Sequence, residues 1–282
     1  MRIEILATGT GLSLQDRGRN GWGRFGVPPS GALDRHAMAN ANRLLGNRPT
    51  APVLEVRLQG TRLRVLEPGW LAVSGADFCP QLPAWTARRF EAGALLEFSA
   101  KGPGLLSYLA VPGGFSADRW FGSVSIDSRN GLGCALFKGQ QLASVRKAPL
   151  IEVTGIARRL TRADQRRDYA AQPIFELLKG PQFESFSAKA RQQLVSGQWT
   201  VTANSDRTGY RLDGAPLEPP GQIASEPVLP GSFQVPGNGL PIITMNDGPT
   251  VGGYPKIAVL QDSDRDRLAQ CAPGAQVSFR WV

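Results

Sequence analysis

Three features of this 282-residue chain predict a mainly β fold with a few short helices. It carries 33 glycines and 22 prolines beside 41% hydrophobic residues, so turn formers cut a core-capable sequence into short pieces. Within many of those pieces apolar and polar residues alternate with period two, as expected of strands that bury one face. The length suffices for one large domain or two of roughly 100 to 150 residues, each able to bury a core.

The first elements follow from that pattern. Arg2 to Thr8 reads as a strand and Ser13-Leu14-Gln15 as a second, with a loop through Thr10-Gly11 between them. From Asp16 to Gly31 the chain holds five glycines and the adjacent Pro28-Pro29, which neither a helix interior nor a central strand accommodates. A long irregular loop inside a compact domain is usually functional. Asp34 then offers a side-chain oxygen to free amides, Met38, Ala41, Leu44 and Leu45 keep helical spacing, and Gly46 closes the end, predicting a helix from Arg35 to Leu45.

Strands are predicted at Val53–Val56, Arg62–Val65, Trp70–Val73, Leu95–Phe98 and Leu105–Val111, forming an antiparallel barrel or sandwich. A turn-rich loop follows over 122–131, and Gly139 to Leu142 reads as a barrel-closing turn. The second half predicts strands at Phe175–Leu178, Trp199–Thr202, Gln222-Ile223, Ser232–Val235, Pro241–Met245, Ile257–Leu260 and Ala275–Phe279. Between them lie a short helix, Ala188–Leu194, and one helical turn, Asp266–Gln270.

The net charge is +9, yet Arg158, Arg159, Arg162, Arg166 and Arg167 crowd into ten residues with little apolar periodicity. That segment reads as a solvated linker, 158–172, between an N-terminal region, 1–157, carrying a site loop at 16–34, and a C-terminal region, 173–282. The basic residues are not interleaved with aromatics, so nucleic acid is not an expected partner. Cys79, Cys134 and Cys271 are odd in number with no CxxC pair, which fits free thiols in a reducing cytoplasm. Neither a secretory signal nor a run of about 20 apolar residues is present, so a cytoplasmic protein without membrane segments is expected.

Six segments concentrate polar groups on irregular backbone: Asp16–Arg19, Gly26–Asp34, Ser74–Asp77, Ser205–Leu212, Ser225-Glu226 and Met245–Lys256. Each taken singly has a plain structural reading, such as a turn pair or a helix cap. The inventory excludes several chemistries. One histidine, His36, leaves little material for a Ser-His-Asp triad or a histidine-rich metal site, and no metal site is expected. No P-loop lysine motif or dinucleotide glycine fingerprint appears. Carboxylates that transfer protons and cations that hold an anion or oxyanion remain.

Eight motifs in order then carry a resemblance: Gln15–Arg19, Gly26–Asp34, Leu54-Glu55, Ser74–Asp77, Val111–Gly114, Ser205–Leu212, Gln234–Pro236 and Gly252–Lys256. Together they resemble the allophanate hydrolase subunit 2 family, also called the KipA-like or biotin-dependent carboxyltransferase family, which includes the C subunit of 5-oxoprolinase. The resemblance spans nearly the whole chain.

It implies two cyclophilin-like β-barrel regions. It also implies action in a heteromer with the KipI-like B subunit, similar to allophanate hydrolase subunit 1, and with the A subunit of 5-oxoprolinase. It implies conversion of 5-oxo-L-proline to L-glutamate, with ATP used by the assembled complex. The alternatives are transfer of a carboxyl group from carrier-borne carboxybiotin to a urea-like amide, or a non-catalytic KipA-type regulator. Carried over residue by residue, the resemblance gives Asp16, Ser30, Glu55, Glu226 and Lys256 as catalytic candidates, with Glu55 an inward-facing carboxylate. Arg17, Arg19, Arg207, Tyr210, Arg211, Gln234, Thr250, Gly252, Gly253 and Tyr254 are the substrate-binding candidates. Gly252-Gly253 would admit close approach of a small amide, in a cleft also walled by residues 16–30 and 205–211. One loop departs: the family's Gly-Ser-Arg-Ser-Thr stretch is Gly122-Ser123-Val124-Ser125-Ile126 here, which loses a cation and a hydroxyl.

Overall fold

The computed structural model describes residues 1–99, 101–148, 158–170 and 173–282. The end of the expected first region, 149–157, and the last two residues of the expected linker, 171 and 172, lie outside the described residues. The chain divides into two compact units, Met1–Arg19 with Ser30–Ala170, and Asn20–Pro29 with the chain beyond Ala170.

The first unit opens with β1 (Arg2–Thr8) and β2 (Leu12–Gln15), followed after the glycine-rich loop by α1 (Arg35–Leu44). The strands β3 (Val53–Arg57), β4 (Thr61–Val65), β5 (Gly69–Gly75), β6 (Thr86–Phe90), β7 (Leu95–Glu97), β8 (Leu106–Ala110), β9 (Gln141–Ala143) and β10 (Arg158–Leu160) complete it. They build a four-stranded sheet, β7-β4-β1-β9, and a six-stranded sheet, β10-β6-β5-β8-β3-β2. Alternation explains the sandwiched core: Ile3 and Ile5 of β1 pair with Val65 and Leu63 of β4 and bury beside Leu54, Val56, Leu71, Val73 and Leu109 of the other sheet. Every residue of β5 is buried because its Leu71 and Val73 face that core while α1 packs across the opposite face.

The second unit holds β11 (Ile174–Lys179), α2 (Ala188–Ser196), β12 (Trp199–Val201), β13 (Gly209–Asp213), β14 (Glu226–Pro227), β15 (Ser232–Gln234) and β16 (Ile242–Thr244). β17 (Val251–Gly252), β18 (Lys256–Leu260), α3 (Asp262–Leu268) and β19 (Gln276–Trp281) follow. Seven strands close a barrel in the order β11-β18-β15-β16-β13-β12-β19, sealed by parallel pairing of β19 with β11. Its interior is aromatic: the rings of Phe233 and Phe279 meet edge to face at 5.0 Å, with Phe175 at 6.1 Å from Phe279. A separate two-stranded ribbon pairs β14 with β17.

The mainly β fold, with three short α-helices among the described residues, agrees with the sequence reading, and most differences have local causes. Asp34 caps α1 as expected, accepting from the Ala37 amide at 2.9 Å. Strand β6 was not expected because Arg88 and Arg89 interrupt its alternation, yet it is held by β5 on one side and β10 on the other. The same pairing places Arg158–Leu160 in a sheet rather than in a linker. Residues 205–212, expected as loop, supply most of β13, while Gln222-Ile223 forms no strand and Ile223 instead donates its amide to the Gly253 carbonyl at 3.0 Å. The last helix starts at Asp262 rather than Asp266.

Candidate functional site

The structure gathers several of the candidate residues into two clusters, one within each unit. In the first, the loop after β2 is shaped by Ser30-Gly31, both with positive φ, 52° and 87°. At Gly31 a side chain would meet the Arg17 backbone at 2.8 Å, so the returning loop lies directly on residues 17 and 18.

Asp16 is the hub of this cluster. Its carboxylate accepts from the Gly18 amide at 2.8 Å, the Val124 amide at 3.1 Å, the Ser125 hydroxyl at 2.8 Å and the Ser123 hydroxyl. Arg119 adds a guanidinium 3.7 Å from the same carboxylate. The departing loop 122–126 therefore surrounds Asp16: Val124 contributes its backbone amide, and the two serines contribute hydroxyls. Arg19 is buried and spends its guanidinium on the Ser30 hydroxyl, at 3.2 Å, and the Ser125 carbonyl, whereas Arg17 is exposed. Ser30 also points its hydroxyl at the Asp127 carboxylate, 3.5 Å away. Ser123, Ser125, Arg119 and Asp127 were missed from sequence, because each is an ordinary turn residue until the fold brings the first three beside Asp16 and the last beside Ser30.

Glu55 corrects an expectation. It alternates with the core residues Leu54 and Val56 and so faces away from the core, where its carboxylate accepts from the Leu33 amide at 3.0 Å and the Tyr108 hydroxyl at 2.8 Å. The Tyr108 oxygen in turn accepts from the Asp34 amide at 2.8 Å. Burial pushes the Tyr108 phenol well above its ordinary range, and the Glu55 and Asp34 carboxylates push the same way. Glu55 thus holds the loop that leads into α1.

In the second unit, the ribbon sets Glu226 opposite Gly252. The ammonium of Lys256, at the start of β18, is buried 2.5 Å from the Glu226 carboxylate. Gln182, also missed from sequence, donates to Glu226 at 2.9 Å and accepts from the Lys256 amide at 2.9 Å. The Lys256 ammonium first, then the Gln182 amide, hold the Glu226 carboxyl below its usual range. Gln234, buried on β15, donates to the Thr244 hydroxyl at 2.8 Å. The two glycines serve the protein's own packing. A side chain at Gly252 would lie 2.9 Å from the Gln234 oxygen, and one at Gly253 would lie 3.0 Å from the Ile223 carbonyl.

The remaining candidates sort differently. Arg207 grips Asp247 through two hydrogen bonds, at 2.6 and 3.0 Å, linking the start of β13 to the loop after β16. Tyr210 is buried in the barrel with its hydroxyl on the Ala269 carbonyl at 3.0 Å, while Arg211, next on the strand, is exposed. Thr250 accepts the Val228 amide through its carbonyl, and Tyr254 is 39% exposed. Among the described residues no group of three or more His, Cys, Asp or Glu side chains gathers to hold a metal, and no helix is long and apolar enough to cross a membrane.

A closed seven-stranded barrel and a two-sheet unit make up the fold of a carboxyltransferase domain. A family model described as carboxyltransferase domain, subdomain A and B, matches residues 25–281, and the chain belongs to that family. It is 33% identical to the 5-oxoprolinase C subunit of Escherichia coli, over 98% of this chain and 90% of that protein. Identity to the 5-oxoprolinase C subunit of Haemophilus influenzae is 34%, over 99% and 91%. The crystal structure of Kluyveromyces lactis urea carboxylase matches with a TM-score of 0.88 at 25% identity, covering 99% of this chain and 27% of that one.

Proposed function

We propose that this chain is one component of an ATP-dependent amide-processing enzyme that opens 5-oxo-L-proline to L-glutamate, acting with a KipI-like B subunit, and with an A subunit. Similarity to two bacterial 5-oxoprolinase C subunits, over at least nine-tenths of their length, supports the substrate and the partners. The observation that carries the chemistry is the buried Lys256 ammonium. It has three donors, faces the Glu226 carboxylate, and among the described residues makes no other hydrogen bond. Such a group suits the carbonyl oxygen of a planar amide, where negative charge grows as water adds to the carbon. Water's oxygen bonds to the lactam carbon, the ring C–N bond breaks, and the nitrogen takes a proton; ATP hydrolysis drives the opening. Glu226 is the acid-base candidate beside that oxygen, and Gln182 and Gln234 position its neighbours. In the first unit, the Asp16 cluster is a second polar platform, with Arg17 as an exposed contact for substrate or partner; in the second unit, Tyr254 is another.

The test is glutamate release from 5-oxoproline and ATP by a co-purified, verified three-component assembly. No glutamate from an intact assembly rejects the reading. Likeness to urea carboxylase favours one other reading, transfer of a carboxyl group from carrier-borne carboxybiotin to a small amide. Binding of a biotinylated carrier protein, together with carboxyl transfer, distinguishes it. A non-catalytic regulator would keep its partner function when Asp16 or Lys256 is replaced by alanine.

A further inference from the structure

We infer that the first unit carries an anion site for a phosphate-bearing ligand, built from residues other than those of the Lys256 cluster and testable without the amide reading. A cavity of about 520 Å³ is lined by Arg17, Arg48, Arg119 and Arg146, with Asp16 the one carboxylate among them. Its volume falls within the range of small-ligand pockets. The charge is lopsided. The Asp16 oxygens are already taken by two backbone amides and two serine hydroxyls, and its cationic neighbour is Arg119, 3.7 Å away. Arg17 and Arg48 are exposed and have no ion-pair partner among the described residues.

Arg146 is the built part of the site. The buried Asn47 side chain accepts from its guanidinium at 2.7 Å and from the Gly113 amide at 2.7 Å, which fixes the arginine over the Gly113 turn. Gly113 has φ 78°, and a side chain there would press within 3.1 Å of Arg146 Nε, so the turn leaves room for the guanidinium. That Nε is buried and lacks an acceptor among the described residues. A buried N–H without a partner is costly and marks a place for an acceptor. Four guanidinium forks against one satisfied carboxylate exceed what a monocarboxylate neutralises. They match a group with several anionic oxygens, and arginine binds phosphate oxygens in pairs. The apolar rim of Ala51, Pro52 and Val145 leaves space for the remainder of such a ligand.

The experiment is titration calorimetry of the isolated chain at low salt with pyrophosphate, and in parallel with succinate, without partner proteins or 5-oxoproline. Pyrophosphate is expected to bind with a Kd below about 1 mM and more tightly than succinate. Arg48→Gln and Arg146→Gln should each weaken it roughly tenfold, as loss of a charged hydrogen-bond partner predicts. Arg62→Gln, whose native side chain pairs with Glu97 on the four-stranded sheet, should leave it unchanged. Exposed Arg48 keeps the test valid should Arg146→Gln fold poorly. Absent pyrophosphate binding, succinate binding as tight or tighter, or affinity indifferent to Arg48→Gln overturns the inference. Because no glutamate is measured, its failure is distinct from failure of the 5-oxoprolinase reading.

Discussion

Lys256 buries its ammonium 2.5 Å from the Glu226 carboxylate, and Gln182 clasps both residues, one through its amide nitrogen and the other through its oxygen. The pair joins the β14–β17 ribbon to the barrel strand β18, so its protonation state bears on both structure and chemistry.

The first prediction is a pH limb. The Glu226 carboxyl is held below its ordinary value of 4.5, so the folded state binds its proton less readily than the unfolded chain. Stability from this group is therefore fully present above about pH 4.5 and fades as pH falls through the lower folded value. Glu226→Gln should flatten that acid limb by lowering stability near pH 8, where the carboxylate's contribution is lost and the Lys256 ammonium is left unpaired, read as thermal midpoints across pH. Identical acid limbs in the two proteins would show that the pair contributes nothing to folding.

Arg207 supplies the second prediction. Its two hydrogen bonds to Asp247 resemble a fork closing on a largely buried carboxylate, which a lysine cannot reproduce. Arg207→Ala should cost about 2–3 kcal/mol, because Asp247 loses the partner that offsets its burial. Arg207→Lys should recover less than half of that loss. A double-mutant cycle with Asp247→Asn measures the coupling. Near-additive effects would show that Arg207 and Asp247 are not energetically coupled.

How far the sequence reaches depends on whether the signal is local. The Asp34 cap, the α1 spacing and the alternating strands are written in neighbouring residues, and these were legible. Strands β6 and β10 were not, because paired arginines hide an alternation that only their sheet neighbours enforce. Motifs marked Asp16 and Lys256, and a polar segment marked Glu226, but none showed what each touches. Ser123 and Ser125 lie more than a hundred residues from Asp16, and Gln182 lies 44 from Glu226. Glycines 252 and 253 read as substrate space, yet the fold has placed Gln234 and Ile223 there. Tyr210 was drawn in by its motif, whereas strand alternation turns it into the barrel and leaves Arg211 outside.

The three cysteines give a third prediction. Burial pushes the Cys79 thiol up to about 11 and the Cys271 thiol up to about 12, while Cys134 is exposed. Since the thiolate is the reactive form, a disulfide reagent at pH 8 should titrate one thiol rapidly in the native protein and all three after denaturation. Cys134→Ser should abolish the rapid phase. A rapid phase that survives in this variant would mean that Cys79 or Cys271 opens to solvent.

The last prediction concerns the turn that shapes the Asp16 cluster. Gly31 has φ 87°, and a methyl group there would stand 2.8 Å from the backbone of both Arg17 and Gly18. Gly31→Ala therefore adds a backbone clash to the conformational penalty, about 2–4 kcal/mol together. Gly139→Ala provides the comparison, since its φ of 88° is equally unfavourable but the added methyl meets open space, limiting the cost to about 1 kcal/mol. The clash lies beside the Gly18 amide that donates to Asp16, so it disturbs the cluster as well as the fold. Calorimetric unfolding should rank Gly31→Ala well below Gly139→Ala, and the 31 variant should lose activity in the assembled enzyme even at temperatures where it stays folded. Equal stability losses in the two variants would mean that the loop relaxes away from residues 17 and 18. Full activity in a folded Gly31→Ala protein would mean that the Asp16 arrangement is not needed for turnover.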